Sequence, residues 1–178
     1  MTGTSVVLGH SRSSVDMIVQ MEGEALAISA ADLRRIVIVS TSLRECFLRQ
    51  AYSIFIQTAH GSIANVKGSL ENRLARRLLL AHDRSVNGQL AITHENLADV
   101  LGVRRAGVTI ALQRLEWQGA IKMARRLITI VDREKLERCA DGFYYAPEHD
   151  WPVETNDRGK LLPATSATKA VQYKKPLI

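Results

Sequence analysis

Arg104-Arg105 opens an apolar-periodic stretch just after Gly102-Val103, and a second pair, Arg125-Arg126, interrupts a run of β-forming residues further on. A guanidinium is charged at all physiological pH and offers its donors in a planar fork. At the N-terminus of an exposed helix that fork fits the O6 and N7 edge of guanine, a contact worth roughly 1–3 kcal/mol of discrimination. Two cations at a helix N-terminus also oppose the helix dipole, by roughly 0.3–1 kcal/mol each. That cost argues for a ligand rather than a merely solvated basic turn. Other chemistries lack their residues. His10, His60, His82, His94 and His149 show no metal-ligand spacing and read as surface or cap residues. His82-Asp83 has no nucleophile motif beside it. We expect no enzyme, no metal and no cofactor.

The elements needed to present Arg104 and Arg105 are written around them. Thr93 caps a first helix, in which Leu97 and Leu101 are four apart and face inward. Ala98 falls where two helices would cross. Gly102 falls at the turn, where positive φ costs glycine nothing. Val103, Val108 and Ala111 form the apolar side of a second helix, which Leu112 and Leu115 extend into the core. Its solvent face carries Arg104, Arg105, Ala106, Gly107, Thr109, Ile110 and Gln113. This is a helix-turn-helix pattern, whose second helix places its N-terminal residues in the major groove of double-stranded DNA. Two short strands, about 120–123 and 127–131, flank Arg125-Arg126 as a wing that can lie along the DNA backbone. Asp132 begins a closing helix. Trp117 reads as packing rather than base stacking.

Upstream, residues 1–30 read as extended. Val15, Met17 and Val19 alternate with Asp16, Ile18 and Gln20, Glu22-Gly23-Glu24 reads as a turn, and Ala25 to Ile28 as a second strand. Two strands alone are marginal in water. Ser29 caps a short helix with Asp32 in its first turn, and Ser40-Thr41-Ser42 breaks it and caps the next. From there Leu43, Phe47, Ala51, Ile54 and Thr58 recur at spacings of four, four, three and four, a narrow stripe of coiled-coil type. Ser42 to Val66 spans roughly 37 Å at 1.5 Å per residue. The stripe is either ordinary core or a dimer seam, and the little chain left to cover both sides favours the seam. Cys46 on this helix reads as buried. Gly68 ends it and Ser69 caps another, with Leu70, Leu74 and Leu78 on one face and a turn at Asn87-Gly88 after it. From about Asp141 the chain holds all four prolines and no sustained period, and reads as unstructured.

Composition agrees. A chain of 178 residues with 46% apolar residues is not disordered wholesale, and no apolar run reaches the roughly 18 residues of a membrane span. Cys46 and Cys139 are too few for a disulfide scaffold, which fits a reducing cytoplasm. The formal charge is +6. From Leu70 to Arg138 there are 13 Lys and Arg against 8 Asp and Glu, so most of the basic excess concentrates where DNA would lie.

Leu97-Ala98-Asp-Val-Leu-Gly102-Val-Arg-Arg-Ala-Gly-Val-Thr109, followed by Leu115-Glu-Trp-Gln-Gly-Ala-Ile121 and Ile128 to Arg133, resembles the Crp/Fnr family of transcription regulators over about residues 3–140. The resemblance implies a cyclic-nucleotide-binding-like β-roll, a long dimerisation helix and a C-terminal winged helix, in homodimers that bind palindromic promoter sites, with RNA polymerase a further partner. By it, Thr93, Arg104 and Gly107 match phosphate-contacting positions and Arg105 the base-reading arginine. The chain departs from the family pattern in three ways. Most of the β-roll is missing, so that Val6 to Gly9 and the strands near Val15 and Leu26 read as a remnant. Gly3 and Ser13-Ser14 stand where the phosphate-binding cassette needs Glu and Arg-Ser, with Arg12 one residue off, so cyclic nucleotide binding is not expected. Ala106 replaces an acidic base reader, and the wing turn lacks its usual glycine. The expectation is an α+β, mainly helical chain. It has a roll remnant over 1–40, a dimerisation helix over 41–68, a winged helix-turn-helix over 69–140 and a disordered tail over 141–178. The competing reading is a truncated interaction module that heterodimerises with a full-length paralogue and modulates it.

Overall fold

The computed structural model describes residues 2–10, 12–13, 15–19, 23–85 and 88–145, together with a strand at 170–173. The chain is mainly helical. In order, the elements are α1 (Thr4–Val7), β1 (Gly23–Leu26), α2 (Ala30–Val39), α3 (Thr41–Lys67), α4 (Leu70–His82), β2 (Gln89–Leu90), α5 (His94–Leu101), α6 (Arg105–Trp117), β3 (Ile121–Ala124), β4 (Leu127–Ile130), α7 (Arg133–Cys139) and β5 (Ala170–Tyr173). Two compact units divide them, one holding residues 1–55 and β5, the other residues 56–146. Among the described residues no helix is long and apolar enough to cross a membrane.

The first unit corrects the extended reading of residues 1–30. Val6 and Val7 belong to the single-turn helix α1, not to a strand. Val15 to Val19 form no regular element and stay exposed. Their alternation is imperfect, since Ile18 puts an apolar group on the supposedly polar face and is itself 83% exposed. Gly23 and Glu24 lie inside β1 rather than in a turn. That strand pairs antiparallel with β5, Gly23 opposite Tyr173 and Leu26 opposite Ala170. The tail expected to be unstructured thus supplies one strand, which satisfies an edge that β1 alone would leave open. Residues 146–169 and 174–178 of that tail, and Asn87 of the expected turn, lie outside the described residues.

α2 begins as the sequence dictates. The Ser29 hydroxyl accepts the Asp32 amide at 3.0 Å, and Leu33 is its buried contact. α3 follows after Ser40 and runs 27 residues, about 40 Å. Along it Leu43, Ile54 and Thr58 are at least partly exposed, and Phe47 and Ala51 are half-buried. Cys46 is exposed, not buried, as are Leu43 and Ile54 of the stripe itself. A second apolar series, Leu48, Tyr52, Phe55, Ile63 and Val66, is also exposed and lies about a third of a turn away.

The second unit carries a dense core. Leu74, Leu78, Leu90, Leu112, Leu115 and Leu136 are fully buried. Ser69 and Asn72 form a reciprocal capping box at the start of α4. The Asn72 side chain also donates to the Cys139 carbonyl at 2.8 Å, tying α4 to the end of α7. The sheet order is β2-β4-β3, all antiparallel, with Leu90 opposite Ile128 and Met123 opposite Ile128 on the other edge. Asp132 caps α7 through the Lys135 amide.

Candidate nucleic-acid interface

α5 and α6 are set by local signals. Thr93 Oγ1 accepts the Asn96 amide at 3.1 Å and donates to Asn96 Oδ1 at 2.6 Å. Leu97, Ala98 and Leu101 are buried. Gly102 sits at φ 64°, and the chain turns on the Val103 amide, which donates to the Ala98 carbonyl at 3.0 Å. The Leu101 carbonyl, left open at the end of α5, accepts from Arg73 of α4. Val108, Ala111, Leu112 and Leu115 then bury the inner side of α6. Arg114 and Gln118 reach Glu71 of α4 at 3.7 and 2.8 Å.

The outer side of α6 exposes Arg104, Arg105, Ala106, Ile110 and Gln113. Arg104 is the N-cap residue, without a side-chain cap bond, and Arg105 is the first helical residue. Arg105 lies 3.8 Å from Glu95 of α5, both side chains largely exposed. That pair offsets part of the dipole cost, though exposed pairs contribute little. Gly107 has a packing role that spacing does not show. Its amide donates to the Arg104 carbonyl at 2.9 Å, and a Cβ there would meet Leu70 of α4 at 3.2 Å. Thr109 Oγ1 donates to the Arg105 carbonyl at 3.1 Å. Its single proton is thereby used, so His94 Nδ1, 3.0 Å away, is the donor to it. His94 is therefore more than the surface or cap residue that the sequence suggests. It is a half-buried brace between the two helices, and its place at the first position of α5 is the available signal.

The wing is built as expected, with β2 as an additional third strand. Arg125 and Arg126 form the β3–β4 turn. Arg126 adopts φ 59°, the left-handed conformation that a glycine would take without strain. A cleft of about 790 Å³ opens between the wing and the two helices. Thr93, His94, Glu95, Arg105, Arg125 and Arg126 line it. The structure thus gathers Thr93, Arg105 and the wing arginines around one concavity. Arg104, Ala106 and Gln113 lie on the exposed surface of α6, outside this lining. Trp117 is 89% exposed, which overturns its reading as packing. It lies two residues beyond core-facing Leu115, on the opposite side of α6.

Not every cation in this region is free for a ligand. Arg76 and Arg77 are held below the ordinary arginine range, first by burial and then by the neighbouring Arg77 and Arg84 charges respectively. Arg133 bonds Asp83 at 2.9 Å and Glu137 at 2.8 Å. Burial works against its charge, and its anionic partners, Asp83 foremost, outweigh that and raise its pKa. Burial and the Asp83 carboxylate, which accepts from the Tyr144 hydroxyl at 2.7 Å, push that phenol up. Burial and Glu71 push the Cys139 thiol up. Among the described residues no cluster of His, Cys, Asp and Glu has the grouping of a metal site.

A buried helix pair, an exposed N-terminal turn on the second helix and a basic β-hairpin beside it define a winged helix-turn-helix of the DNA-binding class. Residues 72–139 match the model of the Crp-like helix-turn-helix domain. FixK2 from Bradyrhizobium japonicum is similar in fold, with TM-score 0.55 at 19% identity over 63% of this chain and 59% of its own. A transcriptional regulator of the CRP family from Thermus thermophilus aligns at 28% identity and TM-score 0.48 over 67% of this chain and 59% of its own. A protein from Eubacterium rectale assigned to the Crp/Fnr family aligns at 26% identity and TM-score 0.47, over 64% of this chain and 52% of its own. The chain therefore spans between half and three fifths of the length of these solved structures. No curated protein matches it.

Proposed function

We propose that this protein is a sequence-specific, dimeric, DNA-binding transcription regulator that acts in the cytoplasm without cyclic nucleotide. The observation that carries the reading is the cleft lined by Arg105 of α6 and by Arg125 and Arg126 of the wing. Arg105 reads a guanine in the major groove. Arg104, Thr93 and the wing pair hold phosphates, Thr93 by turning the hydroxyl proton that Asn96 Oδ1 accepts in the free protein toward the phosphate. Ala106, Thr109 and Gln113 shape the same face, and Gly107 lets α6 sit close to α4. Two copies joined along α3, through Leu43, Phe47, Ala51, Ile54 and Thr58, bind a palindromic promoter site, where RNA polymerase is the further partner. The exposure of a second α3 series favours one other reading, a heterodimer with a longer paralogue.

The test is selection of bound duplexes from random DNA, followed by variants on the selected site. Arg105→Ala is expected to lose preference at one position per half-site. Arg104→Ala is expected to weaken all sequences alike and reduce the salt slope by about one unit. Half-sites about 10–10.5 bp apart are expected to bind best, and about five added base pairs to reduce affinity sharply, because the second helix then meets the far side of the duplex. Equal affinity at both spacings, or an unchanged preference in Arg105→Ala, would refute the reading. Sub-millimolar cyclic-nucleotide binding by calorimetry would remove its effector-free part.

A further inference from the structure

Only Gly68 and Ser69 separate α3 from α4. A two-residue joint does not by itself fix the angle between two helices. A segment from the far end of the second unit closes over it. After α7 the chain turns back through Asp141 and Gly142, both at positive φ (50° and 74°). The ring of Phe143 then fills the space beside Gly68, 3.2 Å from where a Cβ would stand. The Phe143 carbonyl accepts from Arg76 Nε of α4 at 3.1 Å, and the same guanidinium donates to the Gln57 carbonyl of α3 at 2.6 Å. Tyr145 stacks on His60 of α3, ring centres 5.2 Å apart and planes 18° from parallel. Between them the Tyr144 hydroxyl accepts from Arg133 of α7 and donates to Asp83 at the end of α4, each at 2.7 Å.

We propose that Phe143-Tyr144-Tyr145 is a strap of positioning residues that fixes the direction in which α3 leaves the winged helix, and so determines which half-site spacing the dimer accepts. The proposal rests on the dimeric DNA-binding reading above. None of the three residues needs to touch DNA. The leverage follows from helix length. A swing of about 10° at the joint carries a point about 20 Å along α3 through about 3.5 Å, close to the rise of one base pair. A joint free to swing tolerates several spacings, whereas a strapped one rejects all but one. The strap is built for stiffness, with rings of few rotatable bonds, a part-buried arginine spanning two helices, and contacts on α3, α4 and α7 at once.

The experiment uses the full chain and the duplex selected above, with the half-site separation changed by one and two base pairs in each direction, alongside a single half-site. The wild type is expected to lose at least about tenfold in affinity one base pair from its optimum. Phe143→Ala/Tyr145→Ala is expected to keep the dimer and its single-half-site affinity, while the spread across spacings falls below about threefold. Phe143→Leu/Tyr145→Phe, which keeps the apolar bulk and the ring, is expected to restore the preference. A double-alanine variant that binds the single half-site yet retains the wild-type spacing profile overturns the strap. A wild type with no spacing preference instead overturns the two-fold reading beneath it, and the strap with it. If the double variant fails to fold, Tyr145→Ala alone, which leaves the Phe143 ring and the Arg76 bonds in place, carries the test with the same two outcomes.

Discussion

Between residues 56 and 146, large side chains such as Leu74, Leu90, Leu112 and Leu136 have no exposed surface. Between residues 1 and 55, Leu33 is the one buried apolar side chain among the described residues, while Ile38, Val39, Leu48, Tyr52 and Phe55 stand exposed. Hydrophobic burial is the dominant favourable term in folding, so the two regions differ in what they need. The winged helix closes its own core within one chain. The first unit and the body of α3 present apolar faces that a lone chain leaves in water, the pattern of a surface made to be covered.

The contrast breaks most visibly in the core. Leu112→Ala is expected to cost about 2–5 kcal/mol in denaturant unfolding of the second unit, since a fully buried leucine leaves a cavity. Leu48→Ala on α3 is expected to cost much less in the isolated chain. The next largest effect concerns assembly. A large side chain buried at a seam contributes roughly 1.5–3 kcal/mol, so Ile54→Asp is expected to give monomers in sedimentation. Phe55→Asp sharpens the result. If it dissociates the dimer and Ile54→Asp does not, the seam runs along the Leu48 series instead. A wild type that is monomeric at tens of micromolar removes both seams.

Smaller effects come from backbone conformation. Gly102→Ala, at φ 64° with open space around it, is expected to cost about 1 kcal/mol in thermal unfolding. Arg126→Gly is expected to gain a similar amount by relieving the wing turn, while weakening DNA binding. Gly61→Ala is expected to stabilise α3 by about 0.4–1 kcal/mol, because a Cβ there would make only ordinary contact with Arg76 at 3.5 Å. Last is a pH effect with little consequence near neutrality. The Tyr144 phenol titrates above its ordinary value near 10 when folded. Its contribution is therefore complete below that value and lost as pH rises beyond it. Wild-type stability is expected to fall there more steeply than that of Tyr144→Phe, and equal slopes would count against the Asp83 bond.

What the sequence makes legible follows the same division. The caps at Ser29, Ser69 and Thr93, the glycine at 102 and the spacing of Leu97, Leu101, Leu112 and Leu115 are local signals, and each element they specify is present. The placements that fail depend mostly on distant chain. β1 takes its partner from residues 170–173, which no local period announces. β2 is two residues long, too short to show alternation. Trp117 is an exception, since its helical angle from buried Leu115 already holds the answer. The strap leaves one trace, three consecutive aromatic residues in a chain with 5% aromatics. As for the interface, the arginines are legible as types. That Thr109 serves His94 and Gly107 serves Leu70 emerges only from the folded chain.

The two-residue strand β2 bears on how the domain assembles in time. Gln89 and Leu90 pair with Thr129 and Ile128, so this short ladder encloses both helices of the helix-turn-helix in a loop of about 40 residues. Closing such a loop costs roughly 3 kcal/mol of chain entropy, more than two ladder positions return unaided. The ladder therefore becomes favourable only after α5 and α6 have packed on α4 and offer Leu90 a site to bury. Zipping β2 onto β4 is then a late event, formed on the native side of the folding barrier. Substitutions at Leu90 are expected to speed unfolding while leaving the refolding rate nearly unchanged.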